Sequence, residues 1–291
     1  MFGKKTTLKW VDDKFVEFGS YPQAANGGVK PILWRVLEKN DGQLLLLSEH
    51  LLDGRNWNPT NHSMKKTGKK ADIEAAIVPW EKCDLRRWLN NDFFNTAFGK
   101  AEKEIIIERL NTGNGAYLHH DYVPKKGNRM NLNILSSDSY ETYEKRGCAD
   151  TVDNVFLLNI EEAIKYFGES YTIPNTRWSA NLDRIARPTD YLYKRGFHDI
   201  KTGTYYSIET KKIGYYKGSE YVTIDEFTGC QGYWLRNIGS NDITFHSTNA
   251  PFHHGQLSFV SDTGAINGAG HCPASMGNMV RPVILVRANS F

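Results

Sequence analysis

Short apolar runs separated by turn-forming residues dominate the first fifty positions. ILWRVLE (32 to 38) and LLLLS (44 to 48) flank Asn40-Asp41-Gly42, and an Asp-Gly pair supplies the positive φ that a tight hairpin turn requires. The stretch predicts a β-hairpin. From 54 to 80 the pattern is polar, with Pro59 and the basic run Lys65, Lys66, Lys69 and Lys70, and reads as a solvated loop or insertion. Helical spacing then sets in. Leu85, Trp88, Leu89, Phe93, Ala97 and Phe98 recur along LRRWLNNDFFNTAF, with Asp84 as the expected N-cap and Gly99 as the stop. KAEKEIIIERL predicts a second, shorter helix, and NTGNGAYLHHDYVPKKGNRMN a loop. NVFLLNIEEAIKYFG pairs a strand with a helix, Asn159 and Glu162 standing three apart as in a capping box. Between about 170 and 225 many Tyr and Thr residues with Gly breaks predict short strands and irregular segments. The tail reads as GYWLRN, then QLSFV, the turn Ser261-Asp262-Thr263-Gly264, a glycine-rich stretch, and a final strand RPVILVR.

The chain has 291 residues, 40% hydrophobic and 24% charged, so it can bury a sizeable core as a globular, soluble protein of at most two domains. Its net charge of +3 is too small an electrostatic footprint for nucleic acid or an anionic membrane. No apolar stretch is long enough to span a bilayer, and MFGKKTTLKWVDDKF lacks the apolar run of a secretory signal. A cytoplasmic protein is therefore expected, with a phage particle or export by another route as alternatives. Cys83, Cys148, Cys230 and Cys272 are far apart and form no CxxC pair, so reduced thiols are the default.

One compositional change bears on function. No lysine follows Lys217 and no glutamate follows Glu226; Asn, Ser, Thr, Gly, His and aromatic residues replace them. Such a change suits a buried, glycine-rich β region. A recognition surface is the second reading, because these side chains make adaptable contacts at low entropy cost.

Several separated motifs occur in order: FGSYPQ (18 to 23), PILWRVL (31 to 37), LLLLSEHLLD (44 to 53), WEKCDLRRWLNNDFFNTAF (80 to 98), NVFLLNIEEAIKYF (154 to 167), YWLRNIG (233 to 239) and VRPVILV (280 to 286). Together they resemble an uncharacterised bacterial and phage domain family whose tail reads WWLRSPG, a variable polar stretch, then GVRPALWL. The resemblance covers about residues 15 to 287. That family is similar to the sulfatase-modifying-factor branch of the C-type lectin fold, which includes the variable proteins of diversity-generating retroelements. It implies one α+β, C-type-lectin-like domain over 1 to 291 with loop insertions. WLR and VRP would belong to its frame, and 237 to 278 would form a variable ligand-binding segment. Here Tyr233 replaces the family's tryptophan and Asn237-Ile238 its Ser-Pro. Without that proline, φ at the loop's exit is not preset. Adenine randomisation of AAY-type codons cannot yield Lys, Glu, Gln, Met or Trp, and none of the five occurs from Asn237 through Gly255.

Other chemistries find less support. His246, His253, His254, His271 and Cys272 match no metal-ligand spacing, and adjacent histidines on a strand face opposite ways. His119-His120 is no better. Cys230 and Cys272 lie outside the cysteine motif of the sulfatase-modifying oxidases, though a distant pair could meet in space. The Glu-Pro-Asn and Trp-Asn-Asp elements of calcium-dependent sugar binding are absent, as are a nucleophile elbow and a GxGxxG or Walker loop. No metal or other cofactor is expected. Arg86, Arg236 and Arg281 sit inside framework motifs, where ion pairing or stacking is favoured over anion binding. Trp34, Trp80, Trp88 and Trp234 are expected in the core.

The expectation is a non-enzymatic binding protein for a macromolecular partner, a protein in the first instance. Phe245, Phe252, His246, His253 and His254 would provide aromatic area, and Asn237, Asn241, Asp242, Thr244 and Asn249 hydrogen bonds. Ile238, Ser240 and His271 complete the predicted face. The alternatives are an enzyme of the formylglycine-generating type and a structural component of a phage or surface assembly.

Overall fold

The computed structural model of the chain describes residues 8–58, 78–115, 148–172, 179–199, 204–206, 208, 212–217, 219–238, 257–271 and 278–288. The first hairpin forms as predicted. After β1 (Lys9–Trp10) and β2 (Phe15–Pro22), β3 (Val29–Asn40) turns directly into β4 (Gln43–Ser48), with Asn40 paired to Gln43. Asp41 and Gly42 take φ values of 45° and 70°, as the turn demands. The chain then enters a short strand, β5 (Asp53–Arg55), where the sequence predicts the start of a solvated loop. Asp53, Asn56, Trp57 and Asn58 are all buried there, because Trp57 packs between Trp80 and Trp234 and takes the neighbouring polar residues inside with it. Pro59 and the basic run after it lie outside the described residues.

The helix predicted at 85–98 is present but differs at both ends and in its middle. It runs as α1 (Asp84–Trp88), one π-helical turn (Leu89–Phe93) and α2 (Phe94–Ala97). Its N-cap is Cys83, whose Sγ accepts from the Arg86 amide at 3.3 Å, while Asp84 pairs with the Arg87 side chain. The helix stops at Phe98, which is already extended, and Gly99 instead caps α3 (Lys100–Lys103). This second helix is one turn long. The β-branched run that follows favours a pleated surface over a helix. It forms β6 (Ile106–Ile107) and then β7 (Arg109–Asn111), which pairs with β8 (Thr151–Asp153). The strand–helix pair appears as β9 (Val155–Phe156) and α4 (Ile160–Phe167), with the Asn159–Glu162 capping box intact.

Among its described residues the stretch from 170 to 225 holds short strands, as predicted, in three two-stranded ribbons: β10 (Tyr171–Thr172) with β11 (Ser179–Ala180), β12 (Phe197–Asp199) with β13 (Thr204–Tyr206), and β14 (Gly214–Lys217) with β15 (Glu220–Thr223). It also holds a helix, α5 (Asp190–Arg195), capped by the Thr189 hydroxyl and ended by Gly196. The tail follows its predicted course through β16 (Tyr233–Ile238), β17 (Leu257–Val260), the turn closed by Gly264, β18 (Ile266–His271), β19 (Asn278–Val280) and β20 (Val283–Arg287).

Two sheets organise these elements into a mixed α+β frame that is mostly sheet. The larger runs β1-β2-β3-β4-β20-β6, with β9 also pairing to β20; the smaller runs β18-β17-β16-β19-β5. One buried apolar cluster includes residues of both, among them Leu44, Leu46, Trp234, Leu235, Val280 and Ile284. Two of the chain's passages between the sheets, after Ser48 and at Arg281-Pro282, are tied together. Ser48 donates its amide to Pro282 O at 2.9 Å, and Arg281 Nε donates to Ser48 O at 2.9 Å. FGSYPQ has an equally local reason. Gly19 has φ 64°, and a Cβ there would stand 2.6 Å from the Phe98 ring, so only glycine lets β2 approach the end of the helix.

Candidate functional site

The tail's candidate segment is rooted on three strand ends. Ile238, the last residue of β16, pairs with Leu257, the first of β17, and Leu257 pairs with His271, the last of β18. The chain therefore leaves at 238, returns at 257 and leaves again at 271 along one end of the smaller sheet. Asn278 re-enters elsewhere, since β19 runs parallel to β16 with Met279 beside Tyr233.

The root is tightly bonded. Asn237 is 2% and Ile238 1% exposed. The Asn237 Nδ2 donates to Gly113 O (2.9 Å) and Gly115 O (2.8 Å), and its Oδ1 accepts from the Ile160 amide at 2.7 Å. Ile238 N donates to Asn114 O, and Asn114 Nδ2 to Ala149 O at 2.9 Å. Asn114, Gly115 and Ala149 are thus held beside the tail's exit. Most of the residues expected to meet a ligand follow this exit in the sequence, between 239 and 256.

Of those residues, Asn237 and Ile238 are described with their side chains, and both lie inside the fold. His271 is described through its backbone. Ser240, Asn241, Asp242, Thr244, Phe245, His246, Asn249, Phe252, His253 and His254 lie outside the described residues, as do His119, His120 and Cys272. Among the described residues, no group of three or more His, Cys, Asp or Glu gathers as a metal site.

The framework arginines hold the root in place. Arg236 is 1% exposed; its Nη1 donates to Leu157 O (2.6 Å) and Glu162 Oε2 (2.5 Å), its Nη2 to Thr112 O and its Nε to Asn114 Oδ1. Arg109 pairs with the other Glu162 oxygen at 2.7 Å. Burial alone would raise the Glu162 carboxyl, but Arg236 and Arg109 outweigh it and hold the group below the usual glutamate range. Arg86 donates to Asp153 Oδ1 at 2.6 Å, and Arg281 donates to Ser48 O, Arg184 O and the Tyr233 hydroxyl. All three arginines are bonded within the frame, as their motif positions predict. Trp34, Trp80 and Trp234 are core residues, whereas Trp88 is partly exposed and stacks under the Arg55 guanidinium at 3.9 Å.

The three described cysteines behave as small apolar residues with a raised proton affinity. Cys83 and Cys230 are fully buried, and Cys83, Cys148 and Cys230 are all free. Burial pushes the Cys83 and Cys148 thiols up to about 12 and raises Cys230 as well. Thiolates are disfavoured at all three.

Sequence reasoning missed the acidic partners. Glu162 was legible as a capping residue, but not as the counter-ion of two arginines, one of them seventy-four positions away. Asp53 was not legible at all. It accepts from the Tyr21 hydroxyl (2.8 Å) and pairs with Arg195 (2.5 Å) and Arg55 (3.4 Å), linking FGSYPQ, β5 and α5.

These features define a mixed α+β frame that roots its tail on a buried polar network. The chain belongs to the family described as a domain of unknown function, DUF6273, which matches residues 41–288. No curated protein and no solved structure matches the chain.

Proposed function

We propose that the protein is a non-enzymatic binding protein of C-type-lectin-like build, on the sulfatase-modifying-factor branch, whose frame presents the segment after Ile238 to a macromolecular partner, a protein. The supporting observation is the alignment of Ile238, Leu257 and His271 at one sheet end, braced by Asn237 and Arg236. A root held this firmly lowers the ordering entropy lost when its loops meet a ligand. Asn237 and Ile238 would then serve the root. The contact face would begin at Ser240, with Phe245, Phe252 and the histidines for area and Asn241, Asp242, Thr244 and Asn249 for hydrogen bonds.

Diversification by a retroelement is the finer form of this reading. It predicts a near-repeat of the tail's coding DNA beside a reverse-transcriptase gene, and genome sequence without such a template rejects it. The binding proposal itself is tested by randomising positions 240–254 and selecting the library on immobilised serum albumin. Folded, saturable binders are expected. A library in which nearly all members fail to fold would overturn the proposal.

A further inference from the structure

A second feature lies away from the tail: an open cleft of about 270 Å³ between the last turns of α4 and the larger sheet. Leu45 and Leu285 form an apolar patch in it, and Glu38, Arg109, Lys165 and Tyr166 stand around it. Register places Glu38, Leu45 and Leu285 side by side on one sheet face, since Leu45 pairs with both of the others.

The polar groups around the cleft are unevenly satisfied. Lys165 Nζ (2.8 Å) and the Tyr166 hydroxyl (2.6 Å) both donate to Oε2 of Glu38, leaving Oε1 without a bond among the described residues. The Glu38 side chain is 40% exposed. Arg109 rests on the Phe156 ring at 4.9 Å and shares the Glu162 carboxylate with Arg236, while its buried Nη1 has no acceptor among the described residues. One carboxylate thus faces two guanidiniums, and Arg109 keeps surplus positive charge beside the cleft.

We propose that this cleft binds a small apolar α-amino acid, its carboxylate on Arg109, its ammonium on Glu38 Oε1 and its side chain on Leu45 and Leu285. Charge complementarity selects the zwitterion. A simple carboxylate gains Arg109 but faces Glu38; a simple amine gains Glu38 but faces Arg109 and Lys165. A polyphosphate meets Glu38 with several like charges. The volume accommodates a ligand of leucine's size.

Isothermal titration calorimetry on the full chain with leucine, 4-methylpentanoate, 3-methylbutylamine and glycine tests this. Leucine is expected to bind at least roughly tenfold more tightly than each of the other three, which lack the ammonium, the carboxylate or the apolar side chain. Glu38→Gln is expected to reduce leucine binding to the level of 4-methylpentanoate without lowering the melting temperature, because Glu38 is half exposed. Arg109→Gln should abolish binding; if that variant fails to fold, Glu38→Gln decides. Equal binding of the four probes, no saturable heat with leucine, or unchanged leucine affinity in Glu38→Gln would each overturn the assignment.

Discussion

Asp153 has no exposed side-chain surface and accepts from Thr151 Oγ1 (2.6 Å), Trp80 Nε1 (3.1 Å), Asn111 Nδ2 (3.0 Å) and Arg86 Nε (2.6 Å). These donors come from the tryptophan cluster, the long helix and the β7–β8 ribbon. Removing the carboxylate deprives the partly exposed Arg86 guanidinium and four neutral donors, Asn90 Nδ2 (3.4 Å) among them, of this acceptor. Asp153→Ala is therefore expected to lower unfolding free energy by about 3–5 kcal/mol in urea titration. Asn237 makes an analogous case with neutral partners. Its three bonds have no substitute, so Asn237→Ala should cost about 2–3 kcal/mol, and a loss well under 1 kcal/mol would show that the root is not braced as described. The positions of the arginines were legible from their motifs, because a cation between apolar strand residues must be bonded. Their acceptors were not, since many are backbone carbonyls such as Leu157 O, Thr112 O and Ser48 O, which carry no sequence signature.

Elements with a local cause were the most legible. Asp41-Gly42 dictates the β3–β4 turn, and Gly42→Ala should cost about 1 kcal/mol. A Cβ there meets only Ala288 O at 3.6 Å, so the loss would be one of backbone conformation rather than a clash. The Asn159–Glu162 box likewise marks the start of α4. The same signs were present for α5, with Thr189 before it and Gly196 after it, but its six residues are too short to show a period. Non-local causes defeated the pattern elsewhere. Isoleucines 105 to 107 continue a helical spacing, yet two of them pair with Leu285 and Val286. The π-helical turn at Leu89–Phe93 has no sequence mark of its own. Next to its start, Asn90 accepts from the Asn154 and Val155 amides and donates to Val155 O, which ties the helix to β9.

At the scale of the whole molecule, buried ion pairs make stability depend on pH. Glu162 and Glu49 are held below the ordinary glutamate value, their burial outweighed by Arg236 and Arg109 in one case and by Arg35 and Arg281 in the other. A carboxyl with a depressed folded-state pKa contributes stability in full above its unfolded value, about 4.3, and loses it as pH falls through the folded one. His50, held neutral by burial below its ordinary value, gives a first fall in the urea midpoint as pH drops through about 6.5, and the two glutamates add a further fall below about 4 that is shallower in Glu162→Gln. An equal slope in that variant would remove Glu162 from the account.

The frame on either side of the tail's candidate segment was legible in its motifs. Trp234, Leu235 and Arg236 on one side and Val280 and Arg281 on the other are all buried in the frame. What the flanks do not encode is where the strands end. Asn237 looked like the first residue of the face and is a brace, because a polar side chain at a strand end bonds whatever backbone lies beside it, here residues 113, 115 and 160. The most direct test is the melting temperature of the triple variant Phe245→Ala, Phe252→Ala, His253→Ala, measured beside Trp234→Ala. The triple variant is expected to melt within about 2 °C of the wild type while Trp234→Ala falls markedly. A drop of roughly 10 °C or more in the triple variant would place these side chains in the core and contradict the account.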